Sequence, residues 1–68
     1  MNTNKLRGKI VEKRETLEKL ANTLGIDRST VYRKMQDNGN NFTIGEANKI
    51  VKFLSLTSDE ATEIFFSD

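Results

Sequence analysis

Apolar residues recur three and four positions apart along the chain, and no stretch alternates apolar and polar with period two. Leu6, Ile10 and Val11 make a first short amphipathic segment, near residues 5–13. Leu17, Leu20, Ala21 and Leu24 fall at i, i+3, i+4 and i+7, the stripe of a second helix near 16–24. Thr16 stands where its N-cap belongs, and Glu18 in the first turn suits the helix dipole. Gly25 ends that segment and Ile26 follows it. Asp27 occupies the next cap position, ahead of a third helix near 28–36 with Val31 and Met35 as its buried pair. Asp37-Asn38-Gly39-Asn40-Asn41 reads as a turn, with Gly39 as a left-handed stop.

The second half carries two matching start signals. Thr43-Ile44-Gly45-Glu46 is a capping box, with Phe42 and Ala47 placed to close a hydrophobic staple. Thr57-Ser58-Asp59-Glu60 repeats it, between Leu56 and Ala61. Ala47, Ile50, Val51 and Leu54 form the stripe of a fourth helix near 44–54. Ala61, Ile64 and Phe65 form that of a fifth near 58–66. The expectation is an all-α fold of five helices in a single domain over 1–68, without internal repeat or low-complexity tract.

Composition narrows the chemistry. A chain of 68 residues buries only about 60% of the surface its unfolded form exposes. Cysteine and histidine are absent, which removes Cys/His zinc sites, haem ligation by those residues, thiol chemistry, disulfides and every His-based triad. Glu12, Glu15 and Glu18 have the spacing of a solvated helix face, with no glycine-rich phosphate loop beside them, so no enzyme, cofactor or metal is expected. No apolar run approaches the roughly 20 residues of a membrane span, and Met1 leads into polar residues rather than a signal peptide. A cytoplasmic location without membrane contact is expected. The formal charge of +1 hides an asymmetry: residues 1–35 hold nine Lys/Arg and four Asp/Glu, +5, and residues 36–68 hold two Lys and six Asp/Glu, −4. A basic half points to nucleic acid or an acidic surface. It is equally readable as one of two solvated faces.

The informative stretch is Thr16 to Gln36. Small Ala21 suits a close crossing of two helices, Gly25 supplies a left-handed turn, Ile26 plugs the corner and Val31 faces back into the angle. An ordinary antiparallel helix pair with a glycine stop accounts for the same three positions, 21, 25 and 31, but not for a basic third helix. The segment Gly25-Ile26-Asp27-Arg28-Ser29-Thr30-Val31-Tyr32-Arg33-Lys34-Met35 resembles the turn and recognition helix of the XRE or Cro/repressor family of bacterial and phage regulators, Gram-positive phage repressors in particular. The tail from Phe42-Thr43-Ile44-Gly45-Glu46 through Leu54-Ser55-Leu56 to Ile64-Phe65-Phe66 is similar to that group as well. The resemblance implies a compact five-helix, repressor-like domain with a helix-turn-helix at about 16–36, whose third helix enters the major groove. Two positions depart from the family pattern. Leu17 stands where many members carry a phosphate-contacting Gln, and Lys34 stands where many carry an apolar residue, a role Met35 takes here.

At about 100° per residue, Ser29, Arg33 and Gln36 lie opposite the Val31–Met35 face, with Tyr32 and Thr30 flanking them. Arg28 is the first helical residue and projects from the tip. N-terminal residues of a docked recognition helix meet base edges, so Arg28, Ser29, Tyr32, Arg33 and Gln36 are the candidate base contacts. Tyr32 can also be read as a half-buried core aromatic. Thr16, Thr30, Lys34, Asn38, Asn40 and Asn41 are the candidate phosphate contacts, with Lys5, Arg7, Lys9, Lys13 and Arg14 supplying general positive field. Phe53 lies about 110° and Phe66 about 150° from the centre of the buried face of its helix, which suggests a homodimer interface or, alternatively, aromatics wrapping the edge of a small core. The function expected is a phage or prophage transcriptional regulator binding a pseudo-palindromic operator in double-stranded DNA as a dimer. The competing class is a protein-interaction module, an antitoxin or antirepressor, on the same scaffold. No small-molecule ligand is indicated.

Overall fold

The computed structural model describes residues 1–36 and 42–66. Among these the chain forms five helices and no strand: α1 (Thr3–Glu12), α2 (Leu17–Leu24), α3 (Arg28–Gln36), α4 (Ile44–Leu54) and α5 (Ser58–Phe65). The expected elements are all present. The first begins earlier than its apolar stripe suggests, because Asn2 caps it by accepting a hydrogen bond from the Lys5 amide at 3.0 Å. The turn read at 37–41, with its Gly39 stop, lies outside the described residues.

One core holds the fold. Leu6 and Ile10 of α1, Leu20, Ala21 and Leu24 of α2, Val31 and Met35 of α3, Ile50 and Leu54 of α4, Leu56, and Ile64 of α5 are buried together. The second helix packs on α3 and α4, and α1 packs on α5. The Asn2 amide donates to the Ile64 carbonyl at 2.7 Å and ties the start of α1 to α5.

Three helices end in the same way. Arg14, Gly25 and Ser55 adopt positive φ, at 57°, 74° and 51°. In each case the next amide reaches back five residues: Glu15 to Ile10 at 2.9 Å, Ile26 to Ala21 at 3.1 Å and Leu56 to Val51 at 3.0 Å. These are Schellman closures, which satisfy the last carbonyls of the helix. Leu56 and Ile26 then turn an apolar side chain onto the core. Only the closure at Gly25 carries a glycine, so only that one was visible in the sequence.

Asp27 stands at its expected cap position ahead of α3. Its backbone carbonyl accepts the first two bonds of α3, from Thr30 at 3.0 Å and Val31 at 3.1 Å, while its carboxylate makes no hydrogen bond to the helix.

Both capping boxes form. Glu46 accepts from the Thr43 amide at 2.9 Å and Thr43 accepts from the Glu46 amide at 3.0 Å. Glu60 and Thr57 do the same at 2.9 and 3.2 Å. Each capping carboxylate also takes a lysine from the basic half of the chain. Lys9 of α1 pairs with Glu60, and Lys34 of α3 pairs with Glu46 at 2.9 Å. A further pair joins Lys5 to Glu63. Part of the charge asymmetry is thus an internal fastening between the two halves.

This fastening makes stability depend on acid. The bond from Lys9, with that from the Thr57 amide, holds Glu60 at about 2, against 4.5 for a free side chain. Burial pushes Glu46 upward, but the Thr43 amide and Lys34 together bring it below its ordinary value. A carboxylate depressed in the folded state stabilises the fold above its unfolded pKa, and that stability drains away as pH falls through the folded value. Thermal melting should therefore be level from neutral pH down to about 4.5 and decline steadily toward about 2. The Glu60→Gln chain should show a shallower decline. Equal acid limbs for the two chains would remove Glu60 from this account.

Candidate nucleic-acid interface

The candidate face grows from the junction of α2 and α3. Gly25, Ile26 and Asp27 link the two helices, and the αL conformation of Gly25 lets the chain reverse there. Ala21 is buried in α2, and Val31 and Met35 turn the inner side of α3 into the core. The outer side of α3 is thereby left to solvent. Arg28, Ser29, Tyr32 and Arg33 meet Thr16, Leu17 and Glu18 of the α2 start along one shallow groove.

Among the described residues, the arginines of the groove have no acidic partner. Arg28, Ser29 and Arg33 are exposed. Among the described residues, Arg33 donates one hydrogen bond, to the Thr30 hydroxyl at 3.4 Å, and neither arginine forms an ion pair. Tyr32 is 45% exposed and is not among the residues packed on the core. The Arg7 guanidinium lies 5.7 Å above its ring, within cation–π range, so α1 adds a positive group to the same face. Thr16 caps α2 by accepting from the Lys19 amide at 3.1 Å. Its hydroxyl proton remains available to donate outward, beside the positive end of the α2 dipole. Leu17 is half-buried against the core and contributes no side-chain donor at the groove wall.

Other candidate residues sit elsewhere. Gln36 is exposed at the end of α3 but does not line the groove. Thr30 is half-buried and accepts from Arg33. Asn38, Asn40 and Asn41 lie outside the described residues. Lys34 differs most from its expected role. Its ammonium lies 2.9 and 3.2 Å from the two Glu46 oxygens and 5.7 Å above the Phe42 ring. Its side chain is 19% exposed. Lysine at a position expected to be apolar is accommodated by laying its stem along the structure and pairing its head. Of the five general cations, Lys5 and Lys9 point at α5, Arg7 stacks on Tyr32, and Lys13 and Arg14 are exposed. Sequence reading missed both Arg7 as a member of the face and Glu18 as an acidic group on its rim. Neither has a signal short of the tertiary contact between α1, α2 and α3.

The placement of Lys34 separates two outcomes. Lys34→Ala is expected to lower stability by about 1.5–3 kcal/mol, the scale of a hydrogen bond to a charged group, because Glu46 loses its partner. Thermal melting should show the loss, while the salt dependence of any DNA binding stays as in the parent chain. An unchanged melting temperature with uniformly weaker binding would mean that Lys34 leaves Glu46 for phosphate.

Among the described residues no helix is long and apolar enough to cross a membrane, and no cluster of three or more His, Cys, Asp or Glu side chains is placed to hold a metal ion. Compared with protein-family models, curated proteins and solved structures, the chain shows no match.

Proposed function

We propose that this chain is a sequence-specific regulator of transcription that binds double-stranded DNA, of the Cro or compact-repressor kind used by phages and prophages. The observation that carries the reading is the sorting of positive charge. Lys5, Lys9 and Lys34 are consumed by acidic partners inside the fold, while Arg28 and Arg33, which have no acidic partner among the described residues, lie on one exposed helix face beside Tyr32, Ser29 and the α2 N-terminus. Arginines offer bidentate donors to guanine edges, and helix N-termini and hydroxyls offer donors to phosphate. An acidic or apolar outer face on α3 would instead have favoured a protein partner.

Size argues for two copies on the DNA. The described residues extend 28 Å at most, which at 3.4 Å per step spans about eight base pairs. Only part of that length can be read by one helix, so a pseudo-palindromic operator held by a dimer is the natural target.

Titration with duplex DNA across a range of salt tests the reading. Log affinity should fall linearly with log salt, by about 0.9 for each phosphate neutralised. Affinity independent of salt would contradict docking through this cationic face.

A further inference from the structure

Four large apolar or aromatic side chains are exposed among the described residues: Val11, Tyr32, Ile44 and Phe66. Phe53 is not one of them; it is half-buried against the core. Of the four, only Tyr32 lines the groove at the α2–α3 junction. It follows Arg28 by four residues and Ser29 by three, so the three share one side of α3. Around it the groove offers donors, the guanidinium groups of Arg28 and Arg33 and the hydroxyls of Thr16 and Ser29. The ring is held from another helix. Tyr32 is not among the residues packed on the core, and the Arg7 guanidinium of α1 lies over its ring, 5.7 Å from the centroid. A cation in that place is attracted by the negative face of the ring and opposes its rotation away.

We propose that Tyr32 reads the 5-methyl group of a thymine in the operator half-site, and that Arg7 is the positioning residue that holds the ring for this contact. The chemistry selects the base. Base edges in the major groove present hydrogen-bond donors and acceptors, and thymine alone adds an apolar group there. The arginines and Ser29 serve the polar edges, which leaves the methyl group as the match for an aromatic ring set among them. Arg7 acts on this readout from α1 without touching a base. Holding the ring in advance matters, because ordering a free side chain on binding costs affinity. The inference rests on the regulator reading and deepens it, by naming one base and the pair of residues that recognises it.

The free chain gives the first test. Tyr32 is the only tyrosine, so its ring protons are distinct in NMR spectra. NOEs from them to the Arg7 side chain should be present without DNA, and their absence would overturn the positioning role. The second test uses duplexes that the parent chain enriches from a random pool, with the thymines of one half-site replaced one at a time by deoxyuridine, which lacks only the methyl group. At one position the replacement should weaken binding by the parent about fourfold, the effect of burying one methyl group. Tyr32→Phe should keep that ratio and Tyr32→Ala should abolish it. Arg7→Ala should bring the ratio toward one, while Arg7→Lys, which keeps a cation over the ring, should retain most of it. The ratio separates positioning from charge, since a lost phosphate contact weakens both duplexes alike. Enriched duplexes with no sensitive thymine, a sensitivity that survives Tyr32→Ala, or an Arg7→Ala chain with the parent's ratio would overturn the proposal and leave the regulator reading in place. A Tyr32→Phe chain that binds both duplexes equally more weakly would give the hydroxyl to phosphate and overturn it too. A folded parent chain that enriches no duplex would overturn the regulator reading and this inference with it.

Discussion

Arg33→Ala is expected to lower operator affinity by about 1–3 kcal/mol, and to relax the base preference at one position of the half-site. The expectation rests on what Arg33 does in the free chain. Among the described residues its guanidinium has one long hydrogen bond, to Thr30 at 3.4 Å, and no carboxylate partner, so little of its donor capacity is satisfied there before DNA arrives. Arg28→Ala should act similarly at a different base pair, since Arg28 opens α3 at the edge of the same groove. Neither change should disturb folding, because exposed side chains without partners usually alter stability by less than about 0.5 kcal/mol. Binding measured on a set of single-base operator variants checks both. Equal losses on every sequence would mean that the arginines hold phosphate and that specificity lies elsewhere.

Gly25→Val should cost about 2 kcal/mol or more of stability. A side chain built on Gly25 would meet nothing within 4 Å, so no clash contributes. The cost comes from the backbone, which holds φ at 74°. A left-handed conformation costs an L-residue about 1–2 kcal/mol, and a β-branched side chain fits it worse. For a domain of this size that is a drop of roughly 8–16 °C in melting temperature. Ser55 offers the converse experiment. It holds φ at 51° without being glycine, so Ser55→Gly should raise the melting temperature by several degrees, a gain of about 1 kcal/mol. Calorimetry of the two chains reads both effects. If Gly25→Val melts with the parent, the α2–α3 turn does not depend on its left-handed residue.

The helices were legible because local rules and tertiary packing agree. Leu17, Leu20, Ala21 and Leu24 fall on one face whatever surrounds them, and Thr43-Glu46 and Thr57-Glu60 close their boxes within a single turn. The outer face of α3 was legible for the same reason, since Val31 and Met35 fix which side is inside. What was not legible depends on contacts between elements. A list of cations cannot say that Lys9 meets Glu60 while Arg7 meets Tyr32; the packing of α1 across α5 and α3 decides that. Lys34 looked like a free donor because its partner Glu46 lies twelve residues away. Phe53 looked off-core because the position of a residue on a helical wheel counts one helix's own stripe, and a small fold buries sides that the stripe leaves out. The positive φ of Arg14 and Ser55 left no mark in residue type.

The regulator account turns on whether the α3 face reads base sequence, and selection of bound duplexes from a random pool measures that directly. The parent chain should recover a pseudo-palindrome whose half-sites lie about 34–36 Å apart, one turn of the helix, on one face of the duplex. A folded chain that retains duplexes with no sequence enriched over the starting pool, or retains none, would contradict it.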